Sequence, residues 1–253
     1  MRDILDAVAA GDLSPADAEV QLRGYATTDN GRFDAAREQR RGVPEAILGE
    51  GKTPAEISDL AATAVETTGR AIVTRTDEDD VTALHDRFDG EDVSVDHDHR
   101  AKTVVVHEEG YEGPTLAATV GIVTGGTSDA AVAGEAAVIA REMGATVEFV
   151  EDVGVAHLGR VLDHLDTLRE SDVLIVAAGR EGALPTVVAG LVDTPVIGLP
   201  VPTGYGAGGE GRAALDGMLQ SCTIISVVNI GAGFVAGAQA GLVARAVDGA
   251  RDA

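Results

Sequence analysis

The sequence has little aromatic content and almost no sulfur. Aromatic residues make up 3% of the 253 residues and tryptophan is absent, so Val, Ala, Leu and Ile must build the core. A single cysteine, Cys222, excludes an internal disulfide. No uninterrupted apolar run reaches the roughly 20 residues that span a bilayer, and the charged start of the chain is unlike a secretory signal. We therefore expect a soluble, cytoplasmic protein.

Positive charge is also scarce. Lys and Arg together number 19 against 42 Asp and Glu, which gives a formal net charge of −23. Such a surface repels nucleic acid and anionic membranes, so we expect neither as a partner. At molar salt the Debye length falls to about 3 Å, which removes most of the self-repulsion. The charge favours a protein of a salt-rich cytoplasm, as in a halophile; an ordinary acidic protein is the alternative.

Glycine is abundant, and its 32 copies lie between apolar runs, as in tight turns between strands and helices. Residues 101–253 alternate strand-like and helical patterns, which predicts an α/β domain with a doubly wound, mostly parallel sheet. Ligands bind beyond the carboxyl ends of such strands. The predicted strands are 103–107, 118–124, 146–151, 172–177, 195–199 and 224–229, and the predicted helices are 129–143, 156–168, 182–191, 209–220 and 233–248.

Residues 1–100 predict a smaller α+β domain that ends in a linker. Ser14-Pro15 is typical of a helix start, and Thr53 with Glu56 predicts a capping box that opens a helix to about residue 68. The rest of the domain is predicted to hold a strand at 71–74 and an acidic helix at 77–88.

The polar residues 89–102 are interpreted as the solvated linker between the domains. They include the run Asp96-His97-Asp98-His99, whose side chains are of the metal-ligating kind. Neighbours in an extended chain point to opposite faces, so only alternate members of the run converge. A solvated linker is therefore the favoured interpretation.

The most informative stretch runs from Val120 to Ala137. An apolar strand is followed by Gly125-Gly126, which permits a tight turn and close approach of a ligand to the backbone. Thr127 or Ser128 is expected to cap the next helix, whose N-terminus suits a phosphate or carboxylate. This order indicates a nucleotide- or phosphosugar-binding unit, with an ordinary strand–helix turn as the alternative.

Two further residues have both a chemical and a structural interpretation. Glu181, between glycines after an apolar strand, suits a general acid or base, or a helix start where the dipole favours negative charge. Cys222 begins another apolar strand. A lone cysteine is usually an inert small hydrophobe, and a reactive thiol needs its pKa lowered.

Several motifs in the chain occur together in one known family. They are Asp34, Arg37, Arg40, Gly42, Pro44-Glu45 and Gly49-Glu50-Gly51-Lys52-Thr53-Pro54, then Gly126-Thr127-Ser128-Asp129, Asp152-Val153-Gly154-Val155-Ala156, Glu181-Gly182-Ala183-Leu184-Pro185, Gly204-Tyr205-Gly206, Ser221-Cys222, Val227-Val228-Asn229-Ile230 and Gly233-Phe234. In this combination they resemble the LarB family of nickel-pincer nucleotide cofactor biosynthesis proteins, whose C-terminal half is similar to the PurE-type AIR carboxylases. The resemblance covers nearly the whole chain and implies a PurE- or flavodoxin-like three-layer fold.

The resemblance implies an enzyme that converts nicotinic acid adenine dinucleotide, with CO₂ or bicarbonate, into pyridinium-3,5-biscarboxylic acid mononucleotide and AMP. It implies Cys222 as the nucleophile and Glu181 as the base. No tightly bound cofactor is expected and no metal ligand is assigned, although Mg²⁺ would stabilise the leaving phosphate. The substrate-binding residues implied are Gly126, Thr127, Ser128, Asp129, Arg160, Gly182, Gly204, Tyr205 and Asn229, with Asp34, Arg37 and Lys52 from the first domain.

Three loops depart from the family pattern. The family run Ala-Gly-Ile-His-Arg is here Ala156-His157-Leu158-Gly159-Arg160, which keeps the arginine and displaces the histidine. Residues 200–206 read Pro-Val-Pro-Thr-Gly-Tyr-Gly, and residues 229–235 lack an aspartate. These changes bear on substrate and metal binding rather than on the fold.

Other functions stay open at this point. An AIR carboxylase or mutase of purine biosynthesis needs no thiol and would use a histidine such as His157, and a nucleotide-binding regulator would have no turnover. A folding or interface role for Arg37, Arg40 and Lys52 suits the sequence equally well. The resemblance and the Gly- and Ala-rich helix 233–248 imply a homo-oligomer built from dimers, with an octamer as the PurE-like outcome.

Overall fold

The computed structural model describes residues 2–11, 14, 18, 20, 22–28 and 31–251. The chain divides into two compact units, Met1–Glu112 and Gly113–Ala253. Within the described ranges, no helix is long and apolar enough to cross a membrane. The predicted helix start at Ser14-Pro15 falls partly outside those ranges, because Pro15 is not among them.

The first unit is an α+β fold built on a four-stranded sheet. Its elements are α1 (Arg2–Ala10), β1 (Ala26–Thr28), β2 (Gly31–Phe33), α2 (Arg37–Arg41), β3 (Ile47–Leu48), α3 (Pro54–Thr68), β4 (Arg70–Thr74), α4 (Glu78–Arg87), β5 (Val93–Asp98) and β6 (Thr103–Glu108). The sheet order is β3-β4-β6-β5, with β3 parallel to β4 and the other pairs antiparallel. Ile57 and Leu84, from α3 and α4, pack against Val73 and Val104 in one apolar core.

The start of α3 confirms the predicted capping box. The Glu56 carboxylate accepts the Thr53 backbone N–H at 2.7 Å, and the Thr53 hydroxyl accepts the Glu56 N–H at 3.4 Å. Pro54 follows as the first helical residue. These reciprocal bonds satisfy backbone donors that the first turn of a helix cannot pair internally, so the loop before α3 has a fixed end.

The interpretation of residues 89–102 as a linker is wrong. Val93–Asp98 forms β5, which pairs with β6 along its whole length. Side chains along β5 alternate between half-buried and exposed, with Val93, Val95 and His97 on the inner face. This period of two is a strand signal that the polar composition of the stretch obscured.

The predicted domain boundary after residue 100 falls inside the first unit for the same reason. Residues 103–107 were predicted to open the parallel sheet. Instead, Thr103–Glu108 forms β6, which lies between β4 and β5 and is antiparallel to both. An apolar run alone does not specify which sheet a strand joins, because pairing depends on distant partners.

The second unit confirms the predicted doubly wound parallel sheet. Its elements are β7 (Thr119–Thr124), α5 (Ala130–Glu142), β8 (Thr146–Val150), α6 (Gly159–Leu162), α7 (Leu165–Glu170), β9 (Val173–Ala178), α8 (Ala183–Ala189), β10 (Val196–Pro200), α9 (Arg212–Leu219), β11 (Ser226–Val227) and α10 (Gly233–Arg251). All strand pairs are parallel, in the order β11-β10-β9-β7-β8. Helices α5 and α10 pack on one face, and α7, α8 and α9 pack on the other.

Helices α5 and α10 meet through a line of glycines, here called the glycine seam (Gly233, Gly237 and Gly241). A Cβ atom placed on Gly237 would lie 2.4 Å from the carbonyl oxygen of Ala136, and one on Gly233 would lie 2.4 Å from that of Val132. The spacing of four residues puts the seam on one face of α10. Any side chain there would push the two backbones apart.

We expect the Gly237→Ala substitution to lower the free energy of unfolding by about 1–3 kcal/mol, because the added methyl group overpacks the seam. Gly249→Ala, in the same helix, is the matched control, since no atom lies within 4 Å of a Cβ placed there. The control gains helix propensity and should raise stability by up to about 1 kcal/mol. Urea unfolding at one fixed salt concentration measures both, and a neutral Gly237→Ala would contradict the close contact.

Candidate functional site

A cavity of about 610 Å³ opens at the carboxyl edge of the parallel sheet. Its walls are the loops that follow β7, β8, β9 and β10. Strand order reverses between β7 and β9, and the crevice at such a reversal is where doubly wound sheets bind ligands. The size is that of a small-molecule site.

The loop after β7 forms one wall through Gly125, Gly126, Ser128 and Asp129. A Cβ atom on Gly154 would lie 2.6 Å from the carbonyl oxygen of Gly125, so the next loop also approaches the turn closely. Neither Thr127 nor Ser128 caps the helix with its side chain, contrary to expectation. The Asp129 carboxylate instead accepts the Gly126 backbone N–H at 2.9 Å.

Asp129 joins two loops of the cavity. Its other carboxylate oxygen accepts a hydrogen bond from the Thr203 hydroxyl, in the loop after β10, at 2.9 Å. The residue is 4% exposed. Burial raises the pKa of Asp129 above its ordinary value, while the hydrogen bonds from Thr203 and Gly126 oppose that shift. The cavity therefore has a desolvated carboxylate whose geometry is fixed from two sides.

The turn after β9 places Arg180 and Glu181 in the cavity wall. Gly182 has a φ of 66°, which favours glycine, and a Cβ atom there would lie 2.5 Å from the carbonyl oxygen of Ala214 in α9. A Cβ atom on Gly217 would lie 2.2 Å from the Glu181 carbonyl oxygen. Helix α9 thus holds this turn by its backbone, while the Glu181 side chain stays exposed at the cavity.

The loop after β10 completes the cavity with Thr203, Gly204 and Tyr205. The Tyr205 ring is 82% exposed, and the Arg180 guanidinium carbon lies 4.5 Å from its centroid. Arg180 was missed from the sequence. The available signal was a basic residue directly after a buried strand and before Glu181, in a chain with few cations.

Four of the predicted substrate-binding residues of the second unit lie outside the cavity lining: Thr127, Arg160, Gly182 and Asn229. Arg160 donates to the Asp152 carbonyl at 2.9 Å, and the Asn229 side chain accepts the Ile230 N–H at 2.8 Å. The cavity does bring together the other predicted residues of the carboxyl edge. These are Gly126, Ser128, Asp129, Glu181, Gly204 and Tyr205.

Cys222 is exposed and is not part of the cavity lining of its own chain. It precedes β11, which runs parallel to β10, so it lies toward the amino edge of the sheet. The adjacent Ser221 hydroxyl accepts a hydrogen bond from Thr186 of α8 at 2.9 Å. The two residues predicted to be catalytic, Cys222 and Glu181, are therefore at different edges of one chain.

The predicted residues of the first unit have partners within that unit. Arg40 pairs with Asp34 through both carboxylate oxygens, at 2.9 and 2.7 Å. Arg37 contacts Glu45 at 3.0 Å, and Lys52 donates to the Leu48 carbonyl at 2.6 Å. Across the described ranges, no group of three His, Cys, Asp or Glu side chains is arranged to hold a metal ion.

Family models match most of each unit of the chain. The AIR carboxylase family model matches residues 119–253, and the LarB/PurE-like N-terminal domain model matches residues 25–108. The chain is 38% identical over 254 residues to the uncharacterized protein MJ0165 of Methanocaldococcus jannaschii, covering 97% of each. The crystal structure of a PurE2 variant from Treponema denticola aligns with a TM-score of 0.38 and 20% identity, over 56% of this chain and 96% of that one. The chain belongs to the AIR carboxylase family, in its LarB-like form with a LarB/PurE-like N-terminal domain.

Proposed function

We propose that this protein carboxylates the pyridinium ring of nicotinic acid adenine dinucleotide with CO₂ and hydrolyses its phosphoanhydride. The products are pyridinium-3,5-biscarboxylic acid mononucleotide and AMP, and no tightly bound cofactor takes part. The observation that carries the proposal is the cavity at the strand-order reversal, which Glu181 lines together with the glycine turn and Asp129. The family membership supports a carboxylase-type reaction.

The proposed carboxylation balances without an oxidant or reductant. The Cys222 thiolate adds to the ring carbon para to nitrogen, which converts the pyridinium into an enamine. The neighbouring ring carbon then forms a bond to CO₂. The Glu181 carboxylate takes the proton from that carbon. The carbon–sulfur bond then breaks, which releases the thiolate and restores the aromatic pyridinium ring. In the hydrolysis step, water attacks one phosphorus of the phosphoanhydride, and the phosphate of the other nucleotide leaves.

The reaction needs the Cys222 thiol inside the cavity, but Cys222 does not line the cavity of its own chain. We therefore place Cys222 in the cavity of a second copy of the chain. The surface near Cys222 supports this placement, because Ile224, two residues along the chain, is 97% exposed and lines one groove together with the exposed Leu242. Exposed apolar side chains grouped in this way are typical of an interaction surface.

An apolar groove near the amino edge, here called the amino-edge groove, continues that surface. It is lined by Val173, Pro195, Val196, Ile197, Ile224, Ser226, Gln239, Leu242 and Val243. None of these lining residues is charged, whereas the whole chain carries a formal charge of −23. Two copies repel each other over most of their surfaces, so a charge-free groove is where they approach at least electrostatic cost. The second copy is the proposed occupant.

An AIR carboxylase or mutase is the second candidate function. One observation favours it: His157 directly follows Val155 and Ala156, which line the cavity. That chemistry needs no thiol, so the two candidates differ in their dependence on Cys222.

We expect Cys222→Ala and Cys222→Ser to abolish carboxylation while ligand binding is retained, since neither side chain forms a thiolate. The measurement is incubation with nicotinic acid adenine dinucleotide and labelled bicarbonate, followed by mass spectrometry of the nucleotides and of the intact protein. The wild type should also show a transient covalent adduct that both variants lack. Normal carboxylation by Cys222→Ala would exclude the thiol mechanism.

Mixed oligomers decide whether two copies share a site. We expect Cys222→Ala and Glu181→Gln each to be inactive alone. Co-expression should restore activity, because about one quarter of randomly mixed sites join an intact Cys222 to an intact Glu181. If both residues acted within one chain, the mixture would stay inactive.

The substitution Ile224→Asp should split the oligomer, because an unpaired carboxylate would be buried at the amino-edge groove. We expect association to weaken by more than about 100-fold and carboxylation to fall with it. Light scattering at high salt measures the mass. Leu162→Asp is the control, since Leu162 is exposed but lies outside the groove. A wild-type monomer, or equal effects of both substitutions, would contradict the assignment.

The raised pKa of Asp129 predicts a pH dependence of binding. An ionised Asp129 carboxylate accepts the hydrogen bonds from Gly126 and Thr203 more strongly and so fixes the cavity loops, and affinity should rise as the pH rises through that pKa and then level off. Asp129→Asn should remove this dependence and weaken binding about 10-fold at neutral pH. Calorimetry with nicotinic acid adenine dinucleotide, from about pH 4, near the ordinary aspartate pKa, upward to neutral pH, would measure it. Asp193→Asn, at an exposed loop residue, should keep the wild-type profile.

A further inference from the structure

Three charged residues line the cavity, and Arg180 is the cation among them. The other charged lining residues are Asp129 and Glu181. In a chain with 42 acidic and 19 basic residues, an anionic ligand meets repulsion everywhere that no cation offsets it. The carboxylate of a ligand in this cavity, as the proposed function requires, therefore depends on this arginine more than it would in a neutral protein.

The backbone at Arg180 has an unusual conformation. Its φ is 52°, in the left-handed region that a residue with a Cβ seldom adopts. This conformation is strained for such a residue and persists only where its surroundings fix it. Here the fixed Glu181–Gly182 turn follows, and the Arg180 N–H points to the Thr203 carbonyl at 3.4 Å. This conformation directs the guanidinium over Tyr205.

The contact with Tyr205 leaves donors of the Arg180 guanidinium available to a ligand. The guanidinium carbon lies over the Tyr205 ring, 4.5 Å from its centroid, and within the described part of the chain no carboxylate pairs with the group. The N–H groups of a guanidinium lie in its plane, where they match the two oxygens of a carboxylate. The cation–π contact also restricts rotation of the arginine, so less freedom is lost when a ligand binds.

We infer that Arg180 binds the carboxylate on the pyridinium ring of the substrate, and so selects the carboxylate dinucleotide over its carboxamide analogue. The inference rests on the proposed function. Arg180 precedes Glu181, the residue assigned to take the ring proton, so both side chains belong beside the ring. The phosphates belong at the opposite wall, where Gly126 and Ser128 line the cavity.

The test compares two ligands and three arginine substitutions. Dissociation constants are measured by calorimetry for nicotinic acid adenine dinucleotide and for nicotinamide adenine dinucleotide, which differ only in the ring substituent. Arg180→Gln should weaken binding of the carboxylate ligand by about 10- to 100-fold and that of the carboxamide less than about 2-fold. Arg180→Lys keeps the charge without the planar fork and should give an intermediate loss. Arg141→Gln, at an exposed residue in the last turn of α5, should match the wild type for both ligands.

The outcomes separate this inference from the proposed function. Equal losses for both ligands would indicate that Arg180 binds the phosphates, and this would overturn the inference. No loss for either ligand would overturn it too. Carboxylation by the wild type would uphold the proposed function in both cases. A wild type that binds neither dinucleotide overturns both. Retained carboxamide binding by Arg180→Gln shows that the variant is folded, so a selective loss for the carboxylate upholds the inference.

Discussion

The buried carboxylate of Asp129 is the constraint on which the cavity depends. It accepts hydrogen bonds from Gly126 and Thr203, which follow β7 and β10. These strands are not neighbours, because β9 lies between them. One side chain therefore holds two loops across the end of a third strand, and the turn with Arg180 and Glu181 lies between those loops. A desolvated carboxylate without these donors would be strongly destabilising, so the loops and the charge stabilise one another.

The two edges of the parallel sheet differ in chemistry. The carboxyl edge has short polar loops, close glycine contacts and the three charged side chains of the cavity. Near the amino edge lie Cys222 and the amino-edge groove, whose lining is apolar or neutral. The separation is a consequence of parallel pairing, since every strand leaves the sheet on the same side. A residue before a strand and a residue after one cannot meet within a single chain without a long excursion.

Much of the second unit follows from its sequence. Apolar runs such as Val173–Ala178 are buried on both faces, and only strands covered by helices on both sides read as continuous apolar stretches. The glycine turn and Glu181 were found because their small neighbours leave no packing role for them. Strand β5 was missed because its polar composition obscured the alternation of half-buried and exposed side chains along it. Arg180 was missed because its importance lies in a stacking contact with Tyr205, about 25 positions along the chain. The position of Cys222 relative to the cavity could not be predicted from the sequence either, because it depends on the pairing of β11 with β10.

The glycine seam between α5 and α10 has a thermodynamic consequence. Glycine and alanine have no rotamers to lose, so forming this contact costs almost no side-chain entropy. Its attraction comes from dispersion between closely spaced backbones, which decays steeply with distance. A contact of this kind leaves no free volume for a larger side chain. Substitutions at the seam are thus restricted by size long before polarity matters, and the helix pair is free to vary in sequence only on its outer faces.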